Sequence, residues 1–167
     1  DPTAFDDPAG NSYAGIVENW AQLGSDIDGE SSYDYSGHSV SLSSDGSVVA
    51  IGAYANDGGG SNSGHVRVYE NNNGTWTQIG SDIDGESSYD YSGSAVSLSA
   101  DGSVVAIGAY LNDGGGTNSG HVRVYENNNG TWTQIGSDID GESSSDYFGW
   151  SVSISADGSV VALGANY

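Results

Sequence analysis

The sequence predicts an all-β fold of β-propeller blades, with four antiparallel strands in each 56-residue repeat and about three blades in the chain. Three observations carry this expectation. Ser25–Gly80 recurs as Ser81–Gly136 with five differences (His38/Ser94, Ser39/Ala95, Ser44/Ala100, Ala55/Leu111 and Ser61/Thr117), and a third copy runs from Ser137 to Tyr167. Units repeated at such a period bury their apolar faces against one another, as in solenoids, propellers and arrays. Each copy also holds strand-like runs separated by turn residues, and none of them has the period of an amphipathic helix. Two hairpins per repeat suit a propeller blade better than a β-helix rung or a sandwich.

The elements follow in order along one repeat. Ser39–Ser43 alternates Val40 and Leu42 with serines, the pattern of a half-buried strand. Ser44-Asp45-Gly46 is a tight hairpin signal. Val48–Ala53 (VVAIGA) is apolar without alternation, which suits a strand covered on both faces. Asn56–Ser63 is rich in Gly, Asn and Asp and reads as a flexible connection. In Gly64–Glu70, Val66 and Val68 share one face and His65, Arg67 and Tyr69 the other. Asn71-Asn72-Asn73-Gly74 supplies residues that tolerate positive φ, and Thr75–Ile79 is the fourth strand, ended by Gly80.

Phe148-Gly149-Trp150-Ser151-Val152, followed by Val160-Val161-Ala162-Leu163-Gly164-Ala165-Asn166, resembles the FG-GAP repeat of integrin α-subunit propellers. The earlier copies carry Ser36-Gly37 and Ser92-Gly93 at the FG place, and Gly52-Ala53-Tyr54 and Gly108-Ala109-Tyr110 at the GAP place. The Gly-His-Val-Arg-Val-Tyr strands at 64–69 and 120–125 resemble that family's third strand. In integrin-type repeats an Asp-rich calcium loop joins the first two strands. Here that place holds only Ser44-Asp45-Gly46, Ala100-Asp101-Gly102 and Ala156-Asp157-Gly158, too short to surround a cation with six or more oxygens. The resemblance therefore brings no calcium site with it.

It does imply a phase. With the FG run innermost, residues 39–80 and 95–136 are whole blades and 151–165 supply only two inner strands. The chain then divides into a linker or docking arm (1–14, holding both prolines), outer strands that complete a blade (15–24), repeat 1 (25–80), repeat 2 (81–136) and partial repeat 3 (137–167). Trp20–Gly24 matches Trp76–Gly80, and Gly15-Ile16-Val17 stands for a third strand, so Ile16, Val17, Trp20, Leu23 and the variant Trp150 are assembly candidates. A propeller usually needs at least four blades. The chain is thus expected to be a window of a longer propeller, to close a ring with other copies, or to continue by strand addition into an open filament.

Composition narrows the partners. The net charge is −21, Arg67 and Arg123 are the only strong bases, and there is no cysteine, lysine or methionine. Nucleic acid and anionic membranes need a basic face that this chain lacks. Without an initiating methionine, the chain reads as a processed product or a piece of something longer. No apolar run approaches the roughly 20 residues of a membrane span.

The strongest candidate chemistry is the acidic run Asp26, Asp28, Glu30 and Asp34, repeated as Asp82, Asp84, Glu86 and Asp90 and as Asp138, Asp140, Glu142 and Asp146. Crowded carboxylates repel, which a bound Ca2+ relieves. The competing reading has them fan into solvent and cap turns. Asn73-Gly74-Thr75 and Asn129-Gly130-Thr131 are N-glycosylation sequons at hairpin tips, and equally ordinary Asn-Gly turns. His38, His65 and His121 form no cluster in sequence, and the last two read as a repeated surface feature. Trp20, Trp76 and Trp132 suit packing between blades, and Tyr33, Tyr35, Tyr89, Tyr91 and Tyr147 line the acidic connections. Near-identical copies offer the same groups repeatedly rather than the different groups a catalytic site needs. The expectation is a non-enzymatic extracellular or cell-surface structural or adhesive protein. The alternative is a calcium-dependent ligand- or glycan-binding adhesion module of a larger cell-surface protein.

Overall fold

The computed structural model describes residues 4–6, 12–14 and 21–166. All of the regular structure in these residues is β. Near the N-terminus β1 (Ala4–Asp6) pairs antiparallel with β2 (Ser12–Ala14). This hairpin falls inside segment 1–14, expected to be a linker or arm. Ile16, Val17 and Trp20 lie outside the described residues, and residues 21–24 join no strand.

The first blade has the order β3 (Ser39–Leu42), β4 (Val48–Ala53), β5 (His65–Asn72) and β6 (Thr75–Gln78), all antiparallel. A short β7 (Ile83–Asp84) returns to the N-terminal half of β5, pairing with His65 and Val66. The second blade repeats this as β8 (Ala95–Leu98), β9 (Val104–Ala109), β10 (His121–Asn127), β11 (Trp132–Gln134) and β12 (Ile139–Asp140). The third copy supplies β13 (Ser151–Ile154) and β14 (Val161–Gly164), paired with each other. The fourth edge of each blade therefore runs past the boundaries expected at Gly80 and Gly136.

Local chemistry accounts for the turns. Between β3 and β4, Gly46 N–H donates to Ser43 O at 3.0 Å and Gly46 takes a φ of 73°. Asp45 Oδ1 accepts from Ser47 N at 2.9 Å and from the hydroxyls of Ser43 and Ser47, both at 2.8 Å. Asn73 and Gly74, with φ of 53° and 89°, make the paired left-handed turn that joins β5 to β6. Asn56–Ser63 is not loose, contrary to the sequence reading. Asn56 Oδ1 accepts from Gly58 N at 2.7 Å and Asp57 Oδ1 from Asn62 N at 2.7 Å, so the loop closes on its own side chains.

The blades are held face to face. Val48, Ala50, Val66, Val68 and Ile83 of the first blade form one core with Leu98, Val105, Ile107 and Tyr125 of the second. The inner strands β3, β8 and β13 stand side by side, with Leu98 N–H donating to Ser41 Oγ at 2.9 Å and Ile154 N–H to Ser97 Oγ at 3.1 Å. The glycines of the FG and GAP positions set the spacing. A Cβ on Gly52 would run into the carbonyl oxygen of Gly93, and one on Gly108 into that of Gly149. Trp76 Nε1 donates to Leu23 O at 3.0 Å, as Trp132 Nε1 does to Ile79 O at 2.9 Å. Residues 21–24 thus meet the first blade as Ile79 and its neighbours meet the second.

The hairpin aspartates give a pH test. Hydrogen bonds from the Ser47 backbone and from the Ser43 and Ser47 hydroxyls hold Asp45 at about 2, below its ordinary 3.8. Asp101 and Asp157 are held at about 2 by the equivalent serines. The folded values lie below the unfolded ones, so this stabilisation is present above pH about 4 and disappears as pH falls through about 2. Carboxyl-detected NMR titration is expected to give midpoints near 2 for all three residues. Midpoints near 3.8 would contradict the turn geometry.

Candidate functional site

β5 and β10 carry the two arginines and two of the three histidines, and both strands are flanked by acidic connections. Strand alternation puts His65, Arg67 and Tyr69 on one face of β5, as expected. Their burial differs from the expectation. His65 and His121 are each only 1% exposed, so they are interior groups and not a repeated surface feature. The next copy's connection packs over them: Ser92 N–H donates to Ser63 O at 2.8 Å and Phe148 N–H to Ser119 O at 2.8 Å.

Each arginine fastens the acidic connection to its strand. Arg67 donates through Nη2 to Asp28 O at 2.8 Å, and its Nη1 lies 3.8 Å from Glu30 Oε1. Arg123 repeats this with Asp84 O at 2.7 Å and Glu86 Oε1 at 3.5 Å. Both guanidiniums also lie over the ring two residues on, 5.6 Å from the Tyr69 centroid and 5.5 Å from that of Tyr125.

The twelve candidate metal-binding carboxylates divide by role. Asp26, Asp82 and Asp138 each accept from the glutamine four residues earlier, at 2.7, 2.6 and 2.7 Å. Asp34 and Asp90 are buried and accept from Asn56 Nδ2 and Asn112 Nδ2 at 2.8 and 2.9 Å. Asp90 also accepts from Ser87 N at 3.0 Å and Asp146 from Ser143 N at 2.8 Å, which are turn caps. Asp28, Asp84, Asp140 and Glu142 are exposed. Although Asp84 is exposed overall, partial desolvation of its carboxyl beside Gly58, followed by the charge of Asp82, raises it above its ordinary 3.8.

Glu30 and Asp82 come together although they belong to successive copies. His65 Nδ1 lies 3.9 Å from Glu30 Oε2 and 3.7 Å from Asp82 Oδ2. In the second copy His121 Nδ1 lies 3.9 Å from Glu86 Oε2 and 4.0 Å from Asp138 Oδ2. Neither Nδ1 has a hydrogen-bond partner. Two carboxylates favour a charged imidazole, but burial outweighs them and lowers both histidines below 6.5, with the neighbouring arginine adding to the effect. Both rings are therefore neutral near pH 7. The histidines were missed as partners because the three residues of each cluster lie far apart in sequence.

An aromatic row lies elsewhere on the blades. Tyr35 stacks on Tyr54 (5.1 Å between centroids), Tyr54 meets Tyr91 (5.6 Å), and Tyr91 stacks on Tyr110 (5.9 Å). Tyr110 then meets Tyr147 at 6.4 Å and Trp150 at 4.9 Å. Tyr35, Tyr91 and Tyr147 hold φ of 55°, 56° and 52°, a left-handed backbone that costs energy for a bulky residue. His38, Ser94 and Trp150 occupy one repeat position, and the small Ser94 leaves a cleft of about 250 Å³ between the other two, walled by Tyr54 and Tyr110. Of the other assembly candidates, Leu23 is exposed; the sequon asparagines Asn73 and Asn129 are exposed at their turns.

Replacing both arginines tests their fastening role. Arg67→Ala with Arg123→Ala is expected to destabilise the chain by about 1.5–3 kcal/mol per site, the range for hydrogen bonds to charged groups. Urea unfolding measures it. A change within about 0.5 kcal/mol would mark the contacts as incidental surface pairs.

The FG-GAP repeat family matches residues 26–69 and 82–125, more than half of the chain. Among curated proteins, none matches the chain. No helix among the described residues is long and apolar enough to cross a membrane. Repeats of this family are typically extracellular or at the cell surface and typically non-enzymatic, and those of integrins often bind calcium. The blade order, the FG-to-GAP glycine contacts and this match agree, and the chain belongs to the FG-GAP repeat family.

Proposed function

We propose that the chain is a non-enzymatic, extracellular structural or adhesive module whose blades continue, by strand addition and face packing, into a filament or larger ring. Its partners are neighbouring repeats of a longer polypeptide or other copies of itself. One observation carries the reading. Leu98 is 7% exposed in the second blade, whereas the same residue of the first blade, Leu42, is 60% exposed. The half-blade mirrors this, with Val104 at 8% and its counterpart Val160 at 63%.

These two exposed surfaces match each other. The face of Val40 and Leu42 is a copy of the one that the second blade packs on the first. β14, paired only with β13 among the described residues, offers a second edge like those that β4 gives to β5 and β9 to β10. Head-to-tail contacts of this kind close into rings or propagate as filaments. Exposed Asn73 and Asn129 leave glycans room at the hairpin tips.

The aromatic cleft favours a second reading, a glycan-binding adhesion module of a larger cell-surface protein. Trp150 and the tyrosine row offer flat apolar rings to the face of a sugar, and calcium-dependent binding through the acidic loops belongs to the same reading.

Sedimentation of the chain across micromolar concentrations tests assembly. The expected result is mass rising above 17.0 kDa with concentration. Val40→Asp with Leu42→Asp, at exposed positions, is expected to restore the monomer without altering the circular dichroism. A mass of 17.0 kDa at every concentration, or association untouched by these substitutions, would contradict it.

A further inference from the structure

We propose that each full repeat binds one divalent transition-metal ion of the zinc class, the first held by Glu30, His65 and Asp82 and the second by Glu86, His121 and Asp138. The argument starts from the unpartnered nitrogens. A buried polar atom without a hydrogen bond costs about 1–3 kcal/mol, and the same orphan recurs at His65 Nδ1 and His121 Nδ1. Each points at two carboxylate oxygens from different segments.

The spacing fits an ion. Ligands about 2.1 Å from a tetrahedral centre lie roughly 3.4 Å from one another. The imidazole-to-carboxylate separations are 3.7 and 3.9 Å at the first cluster and 3.9 and 4.0 Å at the second, and the ligand atoms of each cluster all lie within 4.8 Å of one another, so rotation of the exposed glutamate and the half-buried aspartate closes the shell around an ion. Water supplies the fourth position.

The surroundings orient the ligands. Gln78 Nε2 holds Asp82 Oδ1 at 2.6 Å, leaving Oδ2 toward His65, and Gln134 holds Asp138 Oδ1 at 2.7 Å in the same way. Arg67 and Arg123 lie near the Oε1 atoms of Glu30 and Glu86, while Oε2 faces the imidazole. Asn56 Nδ2, 3.3 Å from Glu30 Oε2, is a weak competitor at the first site. Such outer contacts fix ligand geometry in metal centres. One nitrogen with two carboxylates selects zinc, cobalt or nickel over calcium, which takes six to eight oxygens. The site differs in place and donors from an Asp-rich hairpin loop, and it does not depend on the assembly reading.

The test uses the full chain, freed of metal with chelator and titrated with Zn2+ by calorimetry and with Co2+ by visible absorption. Two ions per chain are expected, with the intense cobalt bands of a four-coordinate site and no displacement by equimolar Ca2+. His65→Gln is expected to leave one ion. Because the imidazole is buried, Glu30→Gln with Glu86→Gln provides an independent variant, expected to weaken Zn2+ binding at least tenfold while the circular dichroism is unchanged. Absence of saturable binding at micromolar Zn2+, two ions still bound by His65→Gln, displacement by equimolar Ca2+, or unchanged affinity in the glutamate variant would each overturn the proposal.

Discussion

The contact between the apolar face of one blade and the facing surface of the next is the interaction on which the rest depends. A single sheet of this size cannot cover its own VVAIGA strand, which is buried on both faces in the first two blades. Burial of apolar surface stabilises by about 25 cal/mol per Å², and here that surface is shared between successive repeats. Gly52 against Gly93 and Gly108 against Gly149 bring the backbones close enough for the share to be tight. The FG and GAP positions therefore have a mechanical meaning. One glycine in each repeat leaves room for the next.

The polar network follows from that stacking. Placing repeats face to face lays each acidic connection across β5 or β10, where Arg67 and Arg123 fasten it and the buried histidines face its carboxylates. With a net charge of −21, the chain commits both arginines to these seams. Repulsion among the carboxylates is eased locally by glutamine, asparagine and backbone donors, which explains why so many of the acidic residues are structural caps. The aromatic row is a separate product of the same repetition. Tyrosines in a left-handed backbone put one ring per copy beside the GAP tyrosine, and variation at His38, Ser94 and Trp150 opens the cleft between them.

Much of this was legible in residue order. Val48–Ala53 reads as a doubly covered strand and is one, its shortness, its β-branched Val48, Val49 and Ile51 and the flanking Ser-Asp-Gly turn all favouring a strand over a helix. Asn73-Gly74 reads as a hairpin turn and is one. The β7 and β12 segments escaped notice because two residues lie inside an acidic run, although Ile83, its lone apolar residue, was the available signal. The order of Asn56–Ser63 escaped because its side chains replace the pairing that a strand would provide. The convergence of Glu30, His65 and Asp82 was invisible for a different reason. It joins two successive copies to a strand, so only the stacking brings it about.

The account holds that a repeat is stable through its neighbours and not alone. Equilibrium urea unfolding of chains carrying one, two, three and four copies of the 56-residue unit tests this most directly. Midpoint and cooperativity are expected to rise with copy number, with the single copy unfolded, as nearest-neighbour coupling requires. A single copy that folds on its own, with a midpoint unchanged as copies are added, would contradict it.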